Sequence, residues 1–183
     1  MKLHEDNQLF NQAVLATAQF KKIPENYVEK DYWITYVLKL IFSSELSDQA
    51  VFKGGTPLEK CYNLINRFSE DIDVVVVRNK GESDAQLTKK IRTISKMVTT
   101  VLPEIKLGSV TNKRGKIRKT AHNYKKLYES DFGEIRDNIV LEVTWFGNAE
   151  PSIDKNVSCY IEEMMREKGQ INYIERYELK PFM

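Results

Sequence analysis

Apolar residues recur at helical spacing in two segments near the start of the chain. Residues 5–20 and 24–42 each place hydrophobic side chains along one side of a helix. Pro24 suits the first position of the second helix, because an amide proton there would have no helical partner. We therefore predict an N-terminal helical part over residues 1–46 and an α/β core over residues 47–183, within one domain.

The core region shows shorter apolar runs that are separated by glycines and polar turns. Its pattern predicts strands over residues 50–53, 71–78, 105–110, 117–128 and 134–146, and helices over residues 57–65, 83–102 and 157–167. The run at 71–78 is rich in β-branched residues, which suits a strand that is buried on both faces. Residues 177–183 are typical of the start of another strand and have no polar tail, so we expect the chain to lack a C-terminal part.

Composition narrows the class of protein. Of the 183 residues, 42% are hydrophobic and 30% are charged, as in ordinary globular proteins, and the net charge of +2 indicates no particular partner. Cys61 and Cys159 lie far apart without a metal-site spacing, which is typical of proteins in reducing compartments. No apolar run approaches the roughly 20 residues that span a bilayer, and the polar N-terminus is unlike a signal peptide. We expect a cytoplasmic protein with no membrane contact.

Two carboxylates open the strand predicted over residues 71–78. Asp71 and Asp73 are two positions apart, so both side chains point to one face of the sheet. Two like charges at this spacing favour a divalent cation, and carboxylate oxygens suit Mg²⁺. A two-metal site for phosphoryl transfer needs further oxygen ligands, and Glu142 is the best candidate because it is a lone acid in an apolar strand. The alternative for Asp71 and Asp73 is a solvated strand end.

A glycine pair lies between the first strand of the core and the helix that follows it. Gly54 and Gly55 leave backbone amides accessible at a helix N-terminus, where phosphate groups bind, and we expect Thr56 to cap this helix. The segment lacks the Gly-Lys-Ser/Thr of a Walker loop, so a plain strand-to-helix turn is the alternative. Further candidates for nucleotide binding are Lys53, Arg67 and Ser69.

A cationic segment over residues 111–126 contains seven basic residues and no acid, so it can bind a phosphate backbone electrostatically. The pattern predicts a hairpin with tyrosines near enough to stack on bases. The alternative is a solvated edge strand that is protected by lysines. The candidates for RNA contact are Arg114, Lys116, Arg118, Lys119 and Lys125.

A dense charged and aromatic cluster occupies residues 29–33 of the second predicted helix, with the sequence Glu29-Lys30-Asp31-Tyr32-Trp33. Such a cluster can face a partner or lie against the active site. Ordinary helix solvation and packing is the third interpretation, and the sequence leaves all three open.

Three motifs together resemble the AbiEii/AbiGii toxin family of nucleotidyltransferases. They are Phe52-Lys53-Gly54-Gly55-Thr56, Arg67-Phe68-Ser69-Glu70-Asp71-Ile72-Asp73 and, upstream, Glu29-Lys30-Asp31-Tyr32. The resemblance implies an α+β, polymerase-β-like nucleotidyltransferase fold, with a small mixed β-sheet flanked by helices. It also implies Mg²⁺ on Asp71, Asp73 and Glu142, and a triphosphate on Gly54, Gly55, Thr56 and Ser69.

The same resemblance implies an activity and partners. The enzyme would move an NMP from an NTP to a hydroxyl of an RNA such as tRNA, or of a protein. It would be the toxin of a bacterial toxin–antitoxin or phage-defence (abortive infection) system, restrained by a separately encoded antitoxin.

Two other interpretations stay open at the level of sequence. The family has further motifs toward the C-terminus, including a lysine and an aspartate in a helical region, which this chain does not contain. The chain would then be a truncated, non-catalytic nucleotide- or RNA-binding module of the same fold. A glycosyltransferase is the third interpretation, because Asp-x-Asp also binds the metal of nucleotide sugars, although the longer nucleotide-binding βα repeat of that class is missing.

Overall fold

The structure of the protein is a computed structural model that describes residues 1–62, 68, 70–128, 135–146 and 152–183. The helices are α1 (Asn7–Lys21), α2 (Glu25–Phe42), α3 (Gly55–Lys60), α4 (Asp84–Val101), α5 (Tyr160–Glu167) and α6 (Ile171–Arg176). The strands are β1 (Ala50–Lys53), β2 (Asp71–Val76), β3 (Glu104–Ile105), β4 (Ile117–His122) and β5 (Ile139–Thr144). The two predicted N-terminal helices are confirmed to within a few residues.

A five-stranded mixed sheet has the strand order β1-β2-β5-β4-β3. Strands β2 and β5 are parallel, and every other neighbouring pair is antiparallel. Parallel neighbours need a crossover connection. The chain therefore forms α4, β3 and β4 after leaving β2, and β5 then inserts between β2 and β4. This topology places β2 and β5 side by side although they are far apart in the sequence.

Helix α4 packs against β2, β4 and β5, and α2 packs against α1, α4 and α5. Ser83 begins α4 with a capping box, in which its hydroxyl accepts the Gln86 N–H and the Gln86 side chain accepts the Ser83 N–H. The buried side of α4 shares one hydrophobic core with the alternate β2 residues, which are Ile72, Val74 and Val76.

The opposite face of β2 is only half-buried, so the prediction of burial on both faces is wrong. Asp71, Asp73 and Val75 lie on this face and alternate with the core residues. The chain has an α+β fold with a small mixed sheet flanked by helices, as predicted. No helix in the described ranges is long and apolar enough to cross a bilayer.

Several strands are shorter than predicted, and one helix was missed. Strand β3 has two residues, and β4 ends at His122. Beyond it, the backbone N–H groups of Leu127 and Tyr128 donate to Glu29 of α2. Strand β5 begins only at Ile139. Near the C-terminus, α6 was not predicted, and the strand start predicted over 177–183 is reduced to one isolated bridge between Phe182 and Val157.

Candidate active site

A row of four charged residues runs across the sheet on its half-buried face. Lys53 of β1 is paired with Asp73 of β2, Asp73 with Glu142 of β5, and Glu142 with Lys119 of β4. Directly paired residues of neighbouring strands point to the same face. The row therefore places two carboxylates at its centre and one lysine at each end.

Asp71 lies two positions before Asp73, so it shares this face of β2. Its Oδ1 accepts a hydrogen bond from Arg136 Nη1 at 2.6 Å. Local sequence patterns did not reveal Arg136, because they placed it inside the strand predicted over 134–146. Since β5 begins at Ile139, Arg136 lies instead in a loop that returns to the start of β2. No local sequence signal marks this contact, which depends on two distant segments.

The two central carboxylates repel each other. The pKa of Asp73 is raised, first by its partial burial and then by the negative charges of Glu142 and Asp71. Lys119 offsets part of this charge, with its Nζ 3.2 Å from Oε2 of Glu142. A cation bound among the three carboxylates would relieve the same repulsion.

The donor chemistry fits Mg²⁺, because the three candidate ligands, Asp71, Asp73 and Glu142, offer carboxylate oxygens. Within the ranges that the structure describes, however, no three acidic, histidine or cysteine side chains converge into a finished coordination sphere. Asp71 is turned to Arg136 and Glu142 to Lys119. Binding a cation would require these two carboxylates to exchange their protein partners for the ion.

The turn at Gly54 lies directly against Asp73. Gly54 has φ +89° and ψ −157°, a conformation that only glycine adopts without strain. A Cβ at this position would collide with Oδ2 of Asp73. The glycine therefore permits both the turn of the backbone and the close approach of the carboxylate.

Helix α3 begins at Gly55, so the prediction that Thr56 caps a helix over 57–65 is wrong. The position before the helix is Gly54, which has no side-chain cap, and Thr56 lies in the first turn. The buried Thr56 hydroxyl donates to the carbonyl oxygen of Asp71 and so ties α3 to β2. The predicted end of this helix lies outside the described residues.

The remaining candidates are dispersed. Arg67 and Ser69 lie outside the described residues. Among the basic candidates, Lys119 belongs to the charged row, Arg118 points to the opposite face of the sheet, and Lys125 donates to Asn7 of α1 at 3.0 Å. Arg114 and Lys116 are exposed, and the Lys116 ammonium lies 4.9 Å from the ring centre of Trp145. The structure thus does not gather the five cations on one face.

In a comparison with protein families, residues 37–179 match the family described as "Nucleotidyl transferase AbiEii toxin, Type IV TA system". The chain belongs to the AbiEii family. The matched range contains the whole charged row, Asp71 and the Gly54 turn. No curated protein matches the chain. The AbiEii assignment agrees with the α+β fold and its mixed sheet, and it describes a nucleotidyl transferase toxin of a type IV toxin–antitoxin system.

Proposed function

We propose that the chain is a Mg²⁺-dependent nucleotidyltransferase that moves an NMP from an NTP to an acceptor hydroxyl. The observation that carries the proposal is the direct pairing of Asp73 with Glu142, beside Asp71 and against the Gly54 turn. Phosphoryl transfer needs negative charge on the protein to hold metal ions and backbone donors to hold phosphates. The contact of the Gly54 turn with Asp73, on the face that carries the carboxylates, supports the proposal.

Asp71, Asp73 and Glu142 would hold the metal in this proposal. When bound, Mg²⁺ supplies Lewis-acid polarisation of the phosphoryl group and lowers the pKa of the attacking hydroxyl. Asp73 must be ionised to act as a ligand, and because burial and the charges of Glu142 and Asp71 raise its pKa, a bound cation would favour the ionised form. Binding of the metal would therefore lower the pKa of Asp73.

The turn formed by Gly54, Gly55 and Thr56 would bind the triphosphate through its backbone amides. Lys53 lies at the end of the charged row next to Asp73, where its ammonium can neutralise phosphate charge. We include Arg67 and Ser69 in the proposed nucleotide site because they precede Asp71 in the sequence. Arg136 would contribute to phosphate binding, because its guanidinium, which donates to Asp71 in this structure, could contact phosphate when Asp71 binds the metal.

The acceptor in the proposal is an RNA such as tRNA, with a protein as the second possibility. Lys119, next to Glu142 at the end of the row, is the cation best placed to contact an acceptor backbone. Arg114 and Lys116 are exposed candidates apart from the charged row, with Lys116 against Trp145. Arg118 and Lys125 contribute less, because Arg118 points to the opposite face of the sheet and Lys125 donates to Asn7.

The family, which is described as a toxin of a type IV toxin–antitoxin system, supports a cognate antitoxin as a protein partner. A cytoplasmic location and a role in phage defence are further parts of the proposal.

The experiment incubates the purified chain with Mg²⁺, each α-³²P-labelled NTP in turn, and total bacterial tRNA. The test variant is Asp71→Asn/Asp73→Asn. The control is Asp84→Asn, which changes an exposed aspartate in the first turn of α4. We expect label on RNA with the wild type and with the control, and a loss of at least about a hundredfold with the double variant, since metal catalysis supplies several kcal/mol.

Equal labelling by the wild type and the double variant would contradict the proposal. Label on the protein fraction in place of RNA would identify a protein acceptor and leave the mechanism intact. A second candidate function is a non-catalytic nucleotide-binding module, which is favoured by the ion pairs that occupy Asp71 and Glu142. Mg²⁺-dependent NTP binding without transfer to either acceptor would select this second function.

A further inference from the structure

Three consecutive charged residues of α2, Glu29, Lys30 and Asp31, have no exposed surface. Successive residues of a helix point about 100° apart, so these three side chains enter the protein in different directions. A buried charge is costly unless it is paired and hydrogen-bonded. Of the third interpretation, solvation is therefore wrong and packing agrees with the structure, where each charge has a specific partner.

Lys30 bridges two segments that meet at the candidate active site. Its ammonium donates to Oε2 of Glu70 and to the carbonyl oxygen of Arg136, both at 2.5 Å. Oε2 of Glu70 also accepts the backbone N–H of Arg136 at 2.6 Å. Lys30 and Glu70 together thus hold both backbone polar groups of Arg136.

These contacts reach Asp71 from two directions. Glu70 is the residue immediately before Asp71, so fixing its carboxylate fixes the backbone at the start of β2. The Arg136 guanidinium donates to the Asp71 side chain. Lys30, Glu70, Asp71 and Arg136 form a closed ring of contacts in which Lys30 is the fully buried member.

The neighbours of Lys30 bind other parts of the chain. Glu29 accepts the backbone N–H groups of Leu127 and Tyr128 at 2.7 and 3.1 Å. Asp31 pairs with Lys60 at the end of α3 and accepts the N–H of Tyr160 at 2.8 Å. Of the three buried charges, Lys30 is the one whose partners, Glu70 and Arg136, adjoin Asp71.

We propose that Lys30 is a positioning residue for the metal site, which holds the start of β2 and Arg136 so that Asp71 can bind the ion. The inference rests on the proposed function. A merely structural Lys30 would neutralise Glu70 and have no effect on metal affinity once the protein is folded. Positioning of the metal site and neutralisation of Glu70 can be separated, because a Glu70→Gln substitution removes the charge that Lys30 neutralises.

The test measures the Mn²⁺ dissociation constant of the full chain by electron paramagnetic resonance, beside the free energy of unfolding in urea. Lys30→Met removes the ammonium, and Lys30→Met/Glu70→Gln removes both charges so that the carboxylate of Glu70 is not left unpaired. Lys39→Met is the matched control on the same helix, since Lys39 donates to the carbonyl of Glu178 near the C-terminus. Asp71→Asn reports on the metal site itself.

We expect Lys30→Met to weaken Mn²⁺ binding at least about tenfold, as is usual when a supporting partner of a metal ligand is lost. The double variant should regain stability but keep the weakened affinity, and Lys39→Met should bind as the wild type does. A folded double variant with wild-type affinity would overturn the role of Lys30 if Asp71→Asn still lost the metal. Wild-type affinity in Asp71→Asn as well would instead refute the proposed metal site.

Discussion

Asp73 and Glu142 are direct partners across the parallel strands β2 and β5. A parallel pair brings together residues that are distant in the sequence, because the chain must cross over between the two strands. Here the crossover contains α4, β3 and β4. The pairing places the carboxylate of Glu142 beside Asp71 and Asp73, so that the acidic group is built from two strands.

The Gly54 turn gives the first prediction. Gly54→Ala would force a Cβ against Oδ2 of Asp73 and would also strain the backbone at φ +89°. We expect Mn²⁺ affinity and nucleotidyl transfer each to fall at least about tenfold, beside a stability loss of about 1–3 kcal/mol from the strain. Metal titration, the transfer assay and urea unfolding measure the three quantities.

Gly81→Ala is the matched control for this prediction. Gly81 has φ +86°, yet no atom lies within 4 Å of the position of its Cβ. It therefore shares the backbone strain and lacks the collision with a carboxylate. A similar loss of Mn²⁺ affinity in both variants would show that general destabilisation, and not the contact with Asp73, is responsible.

The raised pKa of Asp73 gives the second prediction. In the folded protein, burial and the charges of Glu142 and Asp71 raise the pKa of Asp73. In the unfolded chain, its pKa has the ordinary aspartate value of about 3.9. The stability of the metal-free protein therefore falls as pH rises through the raised pKa. Asp73→Asn removes this penalty, so it should stabilise the metal-free protein at pH 7 and lose the gain below about pH 4.

Thermal unfolding in EDTA from pH 4 to pH 8 measures this effect. We expect a higher Tm for Asp73→Asn than for the wild type at pH 7, and each kcal/mol of stabilisation corresponds to about 2–4 °C in a chain of this size. Asp84→Asn controls for the loss of an exposed carboxylate. A lower Tm for metal-free Asp73→Asn at pH 7 would mean that Asp73 stabilises the fold as an ion, contrary to the repulsion inferred among the three carboxylates.

The hydroxyl of Thr56 gives the third prediction. Thr56→Val keeps the shape of the side chain and removes the donor to the Asp71 carbonyl. We expect a stability loss of about 1 kcal/mol, which is typical of a lost hydrogen bond. We also expect Thr56→Val to weaken the affinity for Mg²⁺-NTP. Thr56→Ser keeps the hydroxyl and should bind Mg²⁺-NTP as the wild type does. Equal NTP affinity in the two variants would show that the tie between α3 and β2 does not matter for the nucleotide.

Parts of the site could be predicted from local patterns in the sequence. The two-residue spacing of Asp71 and Asp73 determines that they share a face, and the structure places them so. Glu142 was selected as a lone acid in an apolar strand, and the structure pairs it with Asp73. Both inferences depend on the periodicity of a strand, which is a local property.

The contacts that local patterns did not predict are all long-range. Arg136 was placed in a strand because an apolar pattern cannot show where pairing begins, and its backbone is held by Lys30 and Glu70 from elsewhere in the chain. Lys30 itself is an ordinary helix residue by propensity. Its complete burial follows from packing between α2 and the loop of Arg136, which no short segment encodes.

The most direct test of the central claim is a Mn²⁺ titration of the full chain by electron paramagnetic resonance. It compares the wild type with Asp71→Asn/Asp73→Asn and with Glu142→Gln, and Asp84→Asn serves as the control. We expect binding by the wild type and the control, with at least about a tenfold weaker affinity in the other two variants. Equal affinity in all four proteins would contradict the assignment of the metal to the carboxylates of β2 and β5.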